Sequence, residues 1–374
     1  MKVLVTGAKG FIGKNLCLFL KNRGHIVFEY DLGSTDDELV EYIKQCDFIV
    51  HLAGINRPLT PEEFIDGNVN FTKKLLDLVN TNNSKAPVIF TSSTQATLDN
   101  PYGKSKKAAE DQLFEFAKEG HQVYVYRLYN AFGKWCRPNY NSVISTFCYN
   151  VTHDIPLQIN EAAPAIDFVY IDDICAEFTR IIETKPESTN QIMYVEPHYS
   201  VTLHDVANLL YSFRSSRSDL QTPLQEGFSK KLYATYLSYL EPADFAYELT
   251  NHVDQRGSFT EVLKTMQYGQ MSVNVSKPGI TKGNHYHMTK NEKYLVVSGK
   301  CEIKLRQVFS DKVISYVCDD KHLRVVDIPT GYTHSITNIG KKDSVTLMWA
   351  SELYDPNIPD TIYCPVEQDE ENKK

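Results

Sequence analysis

From the first residue to about residue 180 the sequence alternates short apolar runs with amphipathic ones: "KVLVTG", "FIGKNLCLFLKNRG", "HIVFEYD", "DFIVHLAG", "FTKKLLDLVN", "PVIFTSS", "SKKAAEDQLFEFAKE" and "QVYVYRL". Strands and helices of these lengths, in this order, join through right-handed crossovers and predict an α/β fold, a doubly wound parallel sheet covered on both faces. "TLHDVANLLYSF" and "KLYATYLSYL" then read as helices. After "PADFAYEL" the texture changes to short β-rich segments such as "GQMSVNVSKPG", "KYLVVSGKCEIKLRQV", "VISYVCDD", "LRVVDIPTG", "HSITNIG" and "SVTLMWASELY". Many short strands between Gly, Pro, Asn and Asp turns predict an all-β sandwich or barrel. A chain of 374 residues exceeds what one core organises. The change falls near residues 243 to 250 and predicts two domains, 1–245 and 246–374. The final "VEQDEENKK" lacks apolar content and reads as a frayed tail.

A formal charge of -8 excludes a nucleic-acid-coating or polybasic membrane surface and suits a small or nucleotide ligand. Met1 leads directly into a strand, and no run of about 18 apolar residues follows, so the expectation is a cytoplasmic protein with no membrane partner. The eight cysteines contain no CxxC pair, which suits reduced thiols.

Gly7, Gly10 and Gly13 form GxxGxxG between the first strand and the first helix. Glycines there let the chain turn tightly and let backbone and helix N-terminus approach a pyrophosphate. Asp31 ends the second strand, where an acid can accept hydrogen bonds from ribose hydroxyls. In "PYGKSKKAAED", Tyr102 and Lys106 are four apart and share one helix face. A phenol has a pKa near about 10, so its use at neutral pH calls for a nearby cation, which Lys106 supplies. Thr94, with Ser93 as the alternative, can hold a substrate oxygen beside Tyr102.

These residues, with "HLAG", "SST", "YGKSK", "RLYNAFG" and "FVYIDDIC", make the N-terminal two-thirds resemble an extended short-chain dehydrogenase/reductase of the nucleotide-sugar type. The resemblance implies that Gly7, Gly10, Phe11, Ile12, Gly13, Asp31, Leu52, Ala53 and Gly54 bind the dinucleotide. It implies that Tyr102 donates a proton to a carbonyl oxygen as hydride arrives, that Lys106 also binds the nicotinamide ribose, and that Thr94 fixes the carbonyl. Ser93, Asn130 and Arg137 are implied near the substrate, Arg137 beside its diphosphate.

The β-rich half carries a second constellation. His285 and His287, two apart on a strand, point to one face; Glu292 opens the next strand, and His334 in "PTGYTHSITN" adds a third imidazole. Three imidazoles and a carboxylate suit Zn, Mn, Fe or Ni. Zinc is the expected metal, because redox chemistry would need a co-substrate with no separate site. Lys282, Lys290 and Lys293 read as solvated, with Lys282 able to reach an enolate oxygen. The spacing resembles the two short cupin motifs, with Leu323 where the second motif usually opens on glycine.

Taken together, "HLAGINRP", "DNPYGKSK", "FGKWCRPNYNSVI", "VDQRGSFTE", "KPGITKGNHYHMTKNEKYLVVSGK" and "DIPTGYTH" resemble the bifunctional reductase–epimerases of capsular polysaccharide synthesis. The resemblance implies a UDP-2-acetamido-2,6-dideoxy-4-hexulose substrate, epimerised at carbon 3 by the cupin domain and reduced at carbon 4 by the other. It implies NADP(H), whereas Asp31 and Leu32 at the strand end favour NAD(H) electrostatically unless Lys9 or Arg23 meets the 2′-phosphate. The epimerase acid and base stay open among His285, His287, Tyr286 and Lys282. The alternatives are a nucleotide-sugar 4-epimerase or dehydratase, a dTDP-4-dehydrorhamnose reductase-like enzyme, or a sensor that binds dinucleotide and metal without turnover. A homodimer through the cupin strands is expected.

Overall fold

The computed structural model describes residues 1–367 apart from 61, 161–163, 223–226, 246, 266–267, 289, 309, 330 and 358. The end of the expected frayed tail, residues 368–374, lies outside the described residues; its first residue, Val366, is buried rather than frayed. By contacts the chain divides into Met1–Leu210 with Gln225–Leu240, and Tyr211–Leu224 with Glu241–Lys374. Residues 211–224 join the second unit across a sequence gap, a grouping that a change of texture does not reveal.

The first unit holds a six-stranded sheet in the order Ile26–Tyr30, Lys2–Thr6, Phe48–His51, Val88–Ser93, Val123–Leu128, Ile192–Met193, every pair parallel. Side chains alternate across a strand, so Val3 and Val5 enter one core with Leu16, Leu20 and Phe178, while Leu4 enters the opposite one with Leu39, Leu75 and Leu113. Both faces are therefore covered by helices, as the alternation predicts. The helix Asp36–Gln45 escaped the periodicity reading because only Leu39 and Ile43 are buried. Its signal is a capping box: Glu38 N–H donates to Thr35 Oγ1 at 3.2 Å and Thr35 N–H donates to Glu38 Oε2 at 2.7 Å. A smaller sheet pairs Asn130–Phe132, Ile166–Tyr170 and His198–Val201.

The second unit is antiparallel β throughout its two sheets. One runs in the order Asn251–Asp254, Gly257–Thr265, Gly269–Ser276, Ser344–Ala350, Glu292–Ser298, Val325–Ile328. The other runs Val313–Asp319, Lys300–Gln307, Tyr332–Asn338, Thr281–Tyr286, Ile362–Tyr363. Tyr294, Val296, Ile303, Leu305 and Ile336 form one apolar cluster from both sheets.

Arg306, 1% exposed, ties the segment after the last strand to the loop after its own strand: Nε donates to Val366 O at 2.8 Å and Nη2 to Pro365 O at 2.9 Å, while Nη1 donates to Ser310 O at 3.0 Å. A planar fork reaches several carbonyls that a single ammonium cannot. Arg306→Ala is expected to destabilise this unit by about 3 kcal/mol through orphaned buried carbonyls. Arg306→Lys should recover less than half of that, read by urea denaturation through Trp349, the only tryptophan of this unit.

Candidate active sites

The glycine loop is built as a phosphate cradle. A Cβ on Gly13 would stand 2.1 Å from Gly7 O and 2.7 Å from the Ala8 backbone, so the helix Phe11–Asn22 packs on the loop only without a side chain there. Gly10 caps that helix, no side chain fills the cap, and its first turn holds no acid. The N–H groups and positive helix end are thus left for an anion, and the residues fit a dinucleotide pyrophosphate. Asp31 closes the loop: its Oδ2 accepts Lys9 N–H at 2.6 Å and its Oδ1 accepts Leu32 N–H at 2.7 Å. Arg23, one of the two cations suggested for a 2′-phosphate, is the C-cap at the far end of the same helix and pairs with Glu183. A 12-residue helix puts it roughly 18 Å from the loop, which leaves Lys9 alone in that role. Phe11 and Ile12 open the helix, and Leu52 follows the third strand with its N–H donating to Thr6 O at 3.1 Å. Next to it, the Ala53 N–H donates to Thr6 Oγ1 at 3.3 Å.

Tyr102 and Lys106 lie in the first turns of the helix Pro101–Lys118, whose head is set by Asn100 accepting Gly103 N–H at 2.7 Å and by Pro101 at the first position. A Cβ on Gly103 would meet Gln95 O at 2.2 Å and Leu98 O at 2.8 Å, so this glycine lets Tyr102 approach the turn Thr94–Thr97. The Ser93 hydroxyl, which accepts Gln95 N–H at 3.2 Å, lies close enough to Tyr102 to lower its phenol. Thr94, the preferred residue, opens the turn, and its carbonyl accepts from Thr97 Oγ1 at 3.0 Å. Burial raises the phenol of Tyr102, and the nearby Ser93 hydroxyl lowers it by less. The ammonium of Lys106 is itself withdrawn from water, at 6% exposed. Burial lowers its pKa to about 8 against a smaller opposing effect of Glu110, and its Nζ sits 4.9 Å from the centre of the Phe90 ring. Asn130 is exposed and donates to Asp167 O at 3.1 Å; Arg137 is exposed against the ring of Tyr140.

Asn68 was not singled out from the sequence. It sits in a π-helical segment, Ile65–Asn70, 1% exposed. Its Oδ1 accepts Ile55 N–H at 2.8 Å, and its Nδ2 donates to Ile55 O and to Ser105 Oγ, each at 2.9 Å. Gly54 is pressed between Asn68 and Lys106: a Cβ there would lie 2.8 Å from Asn68 Oδ1 and 3.5 Å from Lys106 Nζ. Asparagine and the π turn together position the loop that faces Lys106. That turn was the sole local signal, and it is visible only in coordinates.

In the second unit His285, His287, Glu292 and His334 converge, with one ligand-type atom from each lying within 4.8 Å of the others. His285 pairs across the sheet with His334, and Lys282 pairs with Ile336. A register shift between Gly283 and His285 inserts Asn284, at φ 59, and brings Lys282 into phase with His285. The strand ends at Tyr286, so His287 points inward from just beyond it. Its Nδ1 donates to the carbonyl of Asp360, which fixes the ring and turns Nε2 toward Glu292 Oε2 at 3.4 Å, where that buried nitrogen has no hydrogen bond. An orphaned buried imidazole nitrogen among three further donors fits a divalent cation such as zinc.

Burial raises the Glu292 carboxyl, but the imidazoles of His287 and His334 beside it outweigh burial and hold it far below the usual carboxylate range. Burial, with His334 beside it, lowers His285 to about 4. Tyr294 and Asp360 were missed. Tyr294 Oη donates to Glu292 Oε2 at 3.0 Å and lies 3.2 Å from His334 Nε2; the Asp360 carboxylate accepts Met288 N–H at 2.8 Å and Lys290 N–H at 2.9 Å.

The lysine expectations also need correction. Lys290 is buried, 9% exposed, beside Asp360. Lys282 is half-buried and donates to Asn274 Oδ1 at 2.7 Å and Val275 O at 2.9 Å, while Lys293 is solvated, paired with Asp327. A cavity of ≈ 340 Å³ opens beside the cluster, lined among others by Arg256, Asn274, Lys282, His285 and Tyr294.

A nucleotide-type parallel sheet with a Tyr/Lys pair defines the first unit as a dinucleotide-dependent enzyme domain. Residues 3–195 match the NAD dependent epimerase/dehydratase family, and residues 252–362 match the Polysaccharide biosynthesis C-terminal domain. A Pseudomonas aeruginosa protein named UDP-2-acetamido-2,6-beta-L-arabino-hexul-4-ose reductase is 44% identical over 369 residues, 98% of this chain and 99% of that protein. The capsular polysaccharide assembling protein CapF of Staphylococcus aureus is 49% identical, covers 98% of this chain and 100% of its own, and superposes with a TM-score of 0.89. CapF with the inhibitor 3-isopropenyl-tropolone gives 45%, 98%, 100% and 0.85. The chain belongs to the NAD dependent epimerase/dehydratase family, and within it to the CapF-type proteins that carry the second domain. No described helix is long and apolar enough to cross a membrane.

Lys106 generates a stability prediction. Its pKa in the folded chain, about 8, lies below the 10.5 of the free side chain. The penalty is complete below pH 8, where both states hold the proton, and is relieved as pH rises toward 10.5, where only the unfolded chain still holds it. Lys106→Met is therefore expected to be more stable than the native chain by roughly 3 kcal/mol at pH 7, with the difference shrinking toward pH 10. Urea midpoints read through Trp135 in a Trp349→Phe background measure it.

Proposed function

We propose that the chain is a bifunctional nucleotide-sugar enzyme making a precursor of UDP-N-acetyl-L-fucosamine in the cytosol. Residues 246–374, a cupin-type domain, epimerise UDP-2-acetamido-2,6-dideoxy-4-hexulose at carbon 3. Residues 1–245 reduce the carbon 4 ketone with NAD(P)H to UDP-N-acetyl-6-deoxytalosamine. The observation that carries this reading is Tyr102 against Ser93 with buried Lys106 one turn behind, in a chain 44% identical over 98% of its length to a named UDP-hexulose reductase.

The dinucleotide on Gly7, Gly10, Phe11, Ile12, Gly13, Asp31, Leu52, Ala53 and Gly54 supplies the hydride. Ser93 donates a hydrogen bond to the ketone oxygen, Thr94 shapes the turn beside it, and Tyr102 gives its proton to that oxygen as negative charge develops there. Lys106, still mostly protonated at pH 7, holds the resulting tyrosinate. Asn130 and Arg137 lie toward the nucleotide part of the substrate.

Zinc held by His285, His287, Glu292 and His334 supplies a Lewis acid for a ketone. Around it the chain offers Tyr294 as a hydrogen-bond donor to Glu292, and Lys282 as a cation in the adjoining cavity where enolate charge can be met. A homodimer through residues 246–374 is part of the reading, supported by exposed Val313, Tyr316 and Val317 on one edge strand and Val325 on another.

NADPH is the proposed donor, with Asp31 partly neutralised by two backbone N–H groups and Lys9 beside it. NADH is the second reading, favoured by the same carboxylate. Asp31→Ala is expected to raise the NADPH-over-NADH ratio of kcat/KM about tenfold, as loss of one repulsive contact of about 1.4 kcal/mol implies.

The deciding experiment incubates the protein with NADPH and the UDP-4-keto sugar in D2O. Consumption of reduced cofactor with deuterium at carbon 3 is the expected result; exchange of neither kind, or interconversion without net consumption, returns the reading to a 4-epimerase, a dehydratase or a sensor. Tyr102→Phe is expected to slow reduction by about 10² to 10⁴ while exchange at carbon 3 continues. His334→Ala is expected to lose bound metal and exchange together, and retention of both sinks the ligand assignment.

A further inference from the structure

Beyond the last long strand of the second unit, residues 360–366 return to the metal-type cluster and meet it three times without supplying one of its four donors. The carbonyl of Asp360 accepts from His287 Nδ1, and its carboxylate holds the N–H groups of Met288 and Lys290. Ile362–Tyr363 then pairs antiparallel with the strand Thr281–Tyr286, placing Tyr363 opposite His285. Next, Cys364 O accepts from the hydroxyl of Thr333, the residue beside His334. One short segment therefore holds each of the three imidazole residues or its immediate neighbour.

Apolar burial does little to keep this segment in place. Ile362 is 40% and Tyr363 76% exposed, and Val366 alone is buried. A stretch with so few buried contacts opens locally before the rest unfolds. What fastens it is polar, with one side chain from each of three adjacent strands, Thr281–Tyr286, Tyr332–Asn338 and Lys300–Gln307. From the first, Asn284 O accepts Cys364 N–H at 2.8 Å and Asn284 Oδ1 accepts Val366 N–H at 3.2 Å. Thr333 comes from the second. From the third, Arg306 donates to the carbonyls of Pro365 and Val366. Leu305 enters the core and pairs with His334, so alternation sends Arg306 out of the opposite face of the sheet, away from the four donors. Arg306 can act on the cluster only through the segment it holds.

We propose that residues 360–366 are a latch on the metal, and that Arg306, on the far face of the sheet, is the positioning residue that keeps the latch shut. The proposal rests on the ligand assignment in the proposed function. With the segment in place, His287 has one tautomer and one ring orientation, Nε2 toward Glu292. With the segment released, the ring is free to turn, and ordering it again weakens the hold on a cation. Coupling between two binding events is reciprocal, so a bound cation holds the segment down by the same factor by which the segment tightens the cation.

The latch is tested by the zinc affinity of the metal-stripped full chain, measured by competition with a chromophoric chelator. The variants are Arg306→Ala, Arg306→Lys, Val366→Ala and, as a control, Ile303→Ala, a core deletion in the strand of Arg306 that leaves the bonds to the segment in place. Zinc affinity is expected to fall about 10- to 100-fold in Arg306→Ala and by a smaller factor in Arg306→Lys and Val366→Ala. Ile303→Ala is expected to stay within about twofold of the native affinity while losing stability, which separates positioning from general destabilisation. Amide exchange across residues 360–366 is expected to slow on zinc binding by a factor similar to the affinity lost in Arg306→Ala. Should Arg306→Ala not fold, Arg306→Lys and Val366→Ala decide the matter. Native affinity in those two, an equal loss in Ile303→Ala, or exchange that zinc leaves unchanged overturns the latch. A native chain that takes up no zinc fails the ligand assignment and the latch with it. A chain with the expected zinc affinities that exchanges no hydrogen at carbon 3 fails the proposed function alone.

Discussion

A positive charge kept out of water is the constraint around which the first unit is arranged. Lys106 is 6% exposed, and Glu110, one turn further along the helix, is wholly buried. Glu110 is not left to neutralise Lys106 alone. Arg127 grips it with two bonds, at 2.8 and 2.7 Å, and Ser92 donates at 2.6 Å. Helix, fourth strand and fifth strand are therefore fastened to one carboxylate, and the lysine above it receives only part of that charge. A buried ion pair with satisfied partners adds little net stability but fixes geometry. Here the geometry fixed is the height of Tyr102 and Lys106 over the strand that ends at Ser93.

The second unit uses the same physics with the opposite sign. A glutamate is buried there, Glu292, and the groups brought to it are imidazoles and the Tyr294 hydroxyl. Strand pairing puts His285 opposite His334, the bulge at Asn284 adjusts the phase, and Asp360 holds His287 from a segment more than seventy residues away. Four donors meet because three separate backbone devices each correct one approach. An isolated carboxylate could not remain ionised at such depth, so the surrounding imidazoles are what keep it charged.

How much of this was legible in the sequence follows from how local each cause is. The strands of the parallel sheet, the glycine loop and the Tyr102/Lys106 spacing are each written within a few residues, and the structure shows the sheet, the loop ahead of the first helix and the pair on one helix. The metal-type donors were legible because strand period and motif spacing carry them. What was not legible depends on partners distant in sequence. Asn68, Tyr294 and Asp360 look ordinary until Ile55, His334 and His287 arrive beside them. Arg23 was misjudged for a geometric reason: nearness in sequence to the loop hides the length of the helix between them. Lys290 looked solvated because its charge was visible and the burial of the turn under Asp360 was not.

The two chemistries belong in one chain for a reason that lies in the ketone. A carbonyl at carbon 4 acidifies the hydrogen at carbon 3, so inversion there runs in both directions and reaches only an equilibrium. Hydride addition to the same carbonyl removes the acidity and with it the route back. On the proposed assignment, the first unit accepts the ketone only in a pose that presents carbon 4 to the dinucleotide, with its oxygen between Ser93 and Tyr102. A long nucleotide anchor gives that control, since binding energy gathered far from the reacting carbon is what orients it.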